Sequence, residues 1–210
     1  CVVLAVDYSL APDHPFPAAV EEVAAVVRQV GRTAADWGID PGIVSVGGVS
    51  AGGNLAAALT LTLRRDGGPR LVFQLLEVPI LDLTRWVATG AVDPDPLHAG
   101  QLVAAVGRYL PDAGAAHQEL ASPLCAQDLS GLPPARIFTA ELDPLRVDGE
   151  RYGGRLAAAG VPATVSVQAG AIHGVSFLTR VWPPAADWQE AAAEAVRGAH
   201  AGARADRGTQ

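Results

Sequence analysis

Short, nearly continuous apolar runs alternate along the chain with stretches of helical period, and this alternation restricts the fold more than any other feature. The runs are Val2–Val6, Ile43–Gly47, Leu71–Val78, Ala135–Ala140 and Ala163–Gln168. Strands buried on both faces lose the apolar/polar alternation of a half-exposed sheet, so these runs predict an α/β fold: a parallel sheet flanked by helices. Between the first two, Ala18–Val30 predicts a helix on a stripe of Val20, Val23, Val27 and Val30. The Pro-rich Ala11–Pro17 segment before it reads as a loop. Ala51–Arg65 is Ala- and Leu-rich almost all round, which predicts a buried helix stopped by Gly67-Gly68-Pro69. Gln101–Leu110, Val147–Ala159 and Ala185–His200 are further helix candidates, and Ala201–Gln210 is expected to fray. Leu83–His98, with Asp93-Pro94-Asp95-Pro96, has no period and reads as an excursion from the sheet of the kind that shapes a pocket. We expect a cap-like insertion around 83–110 within a single domain, since no repeat or linker divides the 210 residues.

Composition excludes several classes. The formal charge is −7, and all 15 basic residues are Arg, dispersed along the chain, which argues against a nucleic-acid surface. No apolar run approaches the roughly 20 residues of a membrane-spanning helix. Cys1 and Cys125 cannot form a disulfide framework and match no zinc spacing. The first residue is Cys, there is no Met, and the chain opens directly on an apolar run. That predicts a piece of a longer protein, or a gene product that has lost its beginning. A cytoplasmic location is expected in the absence of a targeting segment, and a signal peptide upstream of Cys1 would not be visible.

One motif carries chemistry. Gly48-Val49-Ser50-Ala51-Gly52 fits G-x-S-x-G, and a buried strand runs into it while a helix starts out of it. That is the strand–turn–helix setting of a nucleophile elbow. The turn brings helix and strand backbones together, which leaves no room for Cβ atoms at the flanking glycines. Ser50 would then sit at the carboxyl edge of the sheet, with the backbone N–H of Ala51 at a helix N-terminus beside it as an oxyanion donor. A serine hydroxyl needs a base to take its proton, and the base needs an acid to hold it. His14, His98, His117 and His200 have no strand end nearby, whereas His173 follows the Ala163–Gln168 strand by a short loop. Asp143 follows Ala135–Ala140 in the same manner; Glu141 and Asp148 are rival carboxylates, less well placed in that loop. The order Ser50, Asp143, His173, each just past a strand end, is the chain order of α/β-hydrolases.

On these residues the sequence resembles the hormone-sensitive-lipase-like family of bacterial carboxylesterases. The matching stretches are Asp7–Ala19, Gly47–Ala56, Leu132–Ala135, Glu141–Arg146 and Ile172–Gly174. The resemblance implies an α/β-hydrolase fold and hydrolysis of short- to medium-chain carboxylic esters, with no cofactor, a small-molecule ester as partner and the triad already reached. It also implies a homodimer, since the family often dimerises through its last strand. Three positions depart from the family: Val49 stands where Asp or Thr is usual, Ser9 where Arg is usual and Val147 where an acid is usual. The family's His-Gly-Gly-Gly oxyanion loop has no counterpart here, because the single His-Gly pair is His173-Gly174. With that loop goes the family's third strand, which separates the fourth from the fifth. If Val2–Val6 is the fourth and Ile43–Gly47 the fifth, either two strand edges are left unpaired or the sheet closes up. Two rival readings stay open: a non-catalytic ligand-binding protein on the same scaffold, and an amidase or peptidase using the same triad.

Overall fold

The computed structural model describes residues 1–87 and 99–208. Among them, four strands form one sheet in the order β1 (Val44–Val49), β2 (Leu71–Glu77), β3 (Ala135–Ala140) and β4 (Ala163–Gln168). Every neighbouring pair is parallel. Each connection therefore has to carry the chain back across the sheet. Helices in these stretches are α1 (Ala18–Thr33), α2 (Ala51–Asp66), α3 (Ala99–Tyr109), α4 (Arg146–Ala158) and α5 (Pro183–Gly208). The register sets Val49 beside Glu77, Glu77 beside Phe138, and Ala140 beside Gln168, so the carboxyl ends of the strands share one edge. Loops leaving that edge converge on common ground, which is where open α/β sheets place their sites.

Side-chain alternation divides the core between the two faces. On one face Leu76 and Ile137 pack with Ala57 and Leu61 of α2 and with Tyr152 and Leu156 of α4. On the other, Phe138 and Ala140 pack with Trp188 and Ala192 of α5. The Phe138 and Trp188 rings stack there with centroids 5.4 Å apart. The helix α1 lies outside α2, with Val23 and Ala24 against Leu59 and Leu63. No helix among the described residues is long and apolar enough to cross a membrane.

Three expectations need correction or a boundary. Val2–Val6 is not a strand: residues 1–10 have no regular structure, and Val2, Val3 and Leu4 are 52%, 83% and 41% exposed. A strand exists only where a neighbour takes its hydrogen bonds, and β1 is paired with β2 alone among the described residues. The segment and β1 instead face each other across a cleft of about 430 Å³ lined by Val2–Val6, Val27, Val30 and Val44–Val46, so the sheet has not closed up. The expected frayed tail is helix through Gly208, continuous with α5. Its Ala and Arg residues favour that state, and Arg207 reaches Asp40 at 2.9 Å. Of the expected insertion, Leu83–Arg85 is a short 3₁₀ turn and Ala99–Tyr109 is α3, whereas residues 88–98, including His98, lie outside those described.

Candidate active site

The turn from β1 into α2 is strained at Ser50, whose φ of 56° and ψ of −113° lie in a region that side chains rarely adopt. Surrounding contacts hold it there. The Ser50 N–H donates to the Glu77 carbonyl at 2.8 Å, and its own carbonyl accepts from Asn54 N–H at 3.1 Å. A Cβ on Gly48 would run into the Gly52 backbone, and one on Gly53 would come within 2.8 Å of the Pro79 Cβ. The close approach of strand, helix and the Val78-Pro79 turn is thus what requires glycine at these two positions, whereas at Gly52, where the motif predicts the same crowding, a Cβ would meet nothing within 4 Å. The buried Thr60 and Thr62 donate their hydroxyls to carbonyls of α2 itself, whereas the equally buried Asn54 bonds outside the helix. Its amide donates at 2.8 Å to the carbonyls of both Ile80 and Ala121 and so ties the helix start to two loops. Sequence reasoning passed over it, although an Asn amid Ala and Leu was the available signal.

Ser50 Oγ lies 2.9 Å from His173 Nε2, and His173 Nδ1 lies 2.7 Å from Asp143 Oδ2. The three residues come from positions 50, 143 and 173, and they meet because each follows a strand of one parallel sheet. The Asp143 side chain is 1% exposed and the His173 side chain 21%. Asp143 also accepts the Leu145 N–H through Oδ1 at 2.9 Å, so the same carboxylate shapes its own turn and faces the imidazole. A carboxylate only accepts, so His173 Nδ1 is the protonated nitrogen and Nε2 is left to accept from the Ser50 hydroxyl. His173 reaches this place through a loop with left-handed glycines at Gly170 and Gly174, φ 67° and 73°. Ala51 is the first residue of α2, and the first N–H groups of a helix have no acceptor within it.

The rival carboxylates are engaged elsewhere. Glu141 accepts the Gly170 N–H at 2.7 Å. Asp148 is fully buried, accepts the N–H groups of Leu81 and Asp82 at 2.9 and 3.1 Å, and pairs with Arg85 at 2.6 Å. Burial is the largest influence on Asp148 and pushes its carboxyl up, while those donors and the Arg85 guanidinium pull it back. Among the other histidines, His200 of α5 meets Ser45 of β1 at 2.9 Å beside the open cleft, a contact that sequence reasoning did not foresee. Burial, followed by the charge of Arg204, pulls its imidazole down. Of the family departures, Ser9 has its backbone N–H held by Glu22 at 2.7 Å, and Val147 is exposed at the start of α4.

A family model described as alpha/beta hydrolase fold matches residues 1–177. The carboxylesterase NlhH of Mycobacterium tuberculosis is 42% identical over 191 residues, covering 89% of this chain and 60% of that protein. An arylesterase of Saccharolobus solfataricus is 39% identical over 181 residues, covering 82% of this chain and 57% of its own length. The chain thus spans about 60% of the length of such relatives. Among solved structures, the thermostable carboxylesterase EstE1, cloned from a metagenomic library, superimposes with a TM-score of 0.84 at 35% identity, over 92% of this chain and 67% of that one. The esterase of the archaeon Pyrobaculum calidifontis gives 0.82 at 34%, over 94% and 65%. An all-parallel sheet, a strained serine between strand and helix, and likeness on this scale lead to one assignment: the chain belongs to the alpha/beta hydrolase fold family, in its hormone-sensitive-lipase-like branch.

Proposed function

We propose that this chain carries the catalytic residues of a serine carboxylesterase acting on short- to medium-chain carboxylic esters, with Ser50 as nucleophile, His173 as general base and acid, and Asp143 as its orienting carboxylate. The observation that carries the reading is the unbroken contact from Ser50 Oγ through His173 to Asp143, at 2.9 and 2.7 Å. The esterase names of the relatives from Mycobacterium tuberculosis and Saccharolobus solfataricus support the choice of substrate class.

The chemistry follows from the geometry. His173 Nε2 takes the hydroxyl proton as Ser50 Oγ bonds to the ester carbonyl carbon, and the carbonyl electron pair moves onto oxygen. The Ala51 N–H at the start of α2 is the donor that this chain offers to that oxyanion. Asp143, buried against the imidazole, stabilises the imidazolium that forms. Collapse of the adduct breaks the bond to the alkoxy oxygen, which leaves as the alcohol with the proton from His173 Nε2. Water then attacks the acyl-serine, gives its proton to His173, and releases the acid as Ser50 recovers its hydrogen. A strained Ser50 fits this role because the strain is what lifts its side chain out of the strand and into reach of the imidazole.

The test compares the chain with its Ser50→Ala variant on p-nitrophenyl butyrate, alongside covalent labelling by a fluorophosphonate. The proposal expects labelling at Ser50 and loss of turnover in the variant. Equal turnover by the two proteins would refute it. A chain that binds ester analogues yet resists the label would be a binding protein instead.

A further inference from the structure

We propose that Glu77 is a positioning residue for this site: its main chain holds the nucleophile, and its buried carboxyl, set against Ser176 and Trp188, holds the loop that presents His173. The inference rests on the ester-hydrolysis reading above.

Glu77 is the last residue of β2, beside Val49 in register, and its carbonyl accepts the Ser50 N–H at 2.8 Å. Its side chain ends a stretch that is apolar but for Gln74, and it is only 7% exposed. A carboxyl in that position costs free energy unless something nearby repays it. The groups acting on it are the indole of Trp188, from α5, and the hydroxyl of Ser176, from the Val175–Phe177 turn three residues beyond His173. Burial pushes the carboxyl up most strongly, and these two neighbours pull it partly back. Even so, Glu77 Oε2, Ser176 Oγ and Trp188 Nε1 are all buried and stop short of full hydrogen-bond geometry.

The rest of the loop shows why an anchor is needed. Gly170 and Gly174, both at positive φ, turn the chain on either side of His173; Glu141 holds the Gly170 end at 2.7 Å, and the other end runs into the Val175–Phe177 turn. Asp143 holds the imidazole at Nδ1, but the reach from Nε2 to Ser50 also depends on where the loop sits over the end of β2. Ser176 supplies that reference, being 1% exposed and having its carbonyl bound by Gln189 of α5 at 3.3 Å. Val78, immediately after Glu77, has a φ of 39°, a costly conformation for a β-branched residue. It turns the chain sharply at the end of β2, where the Glu77 carbonyl meets Ser50 and its carboxyl has Trp188 and Ser176 for neighbours. One residue thereby spans nucleophile and base.

The experiment uses the whole chain with Glu77→Leu, Glu77→Gln, Ser176→Ala and the Glu77→Leu/Ser176→Ala pair. The readouts are the rate of fluorophosphonate labelling at Ser50, kcat and KM on p-nitrophenyl butyrate, and the downfield proton resonance of the His173–Asp143 hydrogen bond. Glu77→Leu is expected to slow labelling and kcat by about 10²-fold with KM nearly constant, the cost of misplacing a reacting group by an ångström. Glu77→Gln, which keeps an acceptor for the indole and a donor for the hydroxyl, should restore most of that loss. Ser176→Ala should slow labelling about tenfold alone and add little to Glu77→Leu. A folded Glu77→Leu with wild-type labelling and an unmoved resonance overturns the inference, as does a Glu77→Gln that is as slow as Glu77→Leu. If Glu77→Leu does not fold, wild-type labelling of Ser176→Ala overturns it. Failure of the ester-hydrolysis reading looks different: the unmodified chain is neither labelled nor faster than Ser50→Ala. The resonance still decides in that case, because a resonance displaced in Glu77→Leu sustains the positioning role and an unmoved one ends it.

Discussion

Replacing Asp143 by Asn tests the site at its most constrained point. Both carboxylate oxygens accept: Oδ2 faces His173 Nδ1 at 2.7 Å and Oδ1 takes the Leu145 N–H at 2.9 Å. An Asn offers one oxygen and one NH₂, so it can satisfy only one of these partners. Leu145 is fully buried, and leaving its N–H against a second donor would cost about 1–3 kcal/mol. The oxygen therefore turns to Leu145 and the NH₂ to the imidazole. His173 must then carry its proton on Nε2, where it cannot accept from Ser50. The expected loss in kcat is about 10⁴-fold, as for a wrong tautomer in other triads, with KM nearly unchanged. That corresponds to about 5.4 kcal/mol on the barrier. Asp143→Ala should lose as much turnover but also forfeit the Leu145 contact, melting about 2–12 °C below Asp143→Asn. Initial rates on p-nitrophenyl butyrate and thermal melts of both variants make the comparison. Turnover of Asp143→Asn within tenfold of the parent, or equal melting of the two variants, would refute the reasoning.

Other outcomes follow from the same contacts. Asn54→Ala removes two buried hydrogen bonds and strands the carbonyls of Ile80 and Ala121, so chemical denaturation should show about 2–4 kcal/mol less stability. The Glu77 carboxyl is pushed above its ordinary 4.5, so the folded chain holds that proton longer than the unfolded one. Its contribution to stability is then complete below pH 4.5 and is lost as pH rises through the folded-state value. Melting temperatures of Glu77→Gln, which has no proton to lose, should gain on the parent as pH climbs from 4.5 into the neutral range; parallel curves for the two proteins would contradict this.

Much of the architecture was legible because local signals and the global fold agree. Runs such as Leu71–Val78 and Ala135–Ala140 are too short for helices and too apolar for an exposed sheet, which leaves buried parallel strands. The positions of Ser50, Asp143 and His173 after strand ends were readable for the same reason. In an all-parallel sheet, every strand ends at one edge, so sequence position translates into spatial position. Val2–Val6 marks the boundary of that logic. Its residues have the composition of a strand, but strand formation requires a hydrogen-bonded neighbour, and the segment lies across an open cleft from β1.

The sequence placed Asp143 best in its loop, but what engages each of the three neighbouring carboxylates was beyond it. Glu141, Asp143 and Asp148 lie within eight positions of one another, and only the fold shows the first on Gly170, the last sealed under Leu81 and Arg85, and the middle one on His173. Asn54 and Glu77 escaped for a related reason. A buried polar side chain is defined by partners far away along the chain, 26 and 67 positions from Asn54 and about 100 from Glu77 to Ser176 and Trp188. Periodicity reports which face of an element is apolar. It carries no record of what a distant loop will place against the exceptions, and hydrogen bonds, being short and directional, are settled only when the chain has packed.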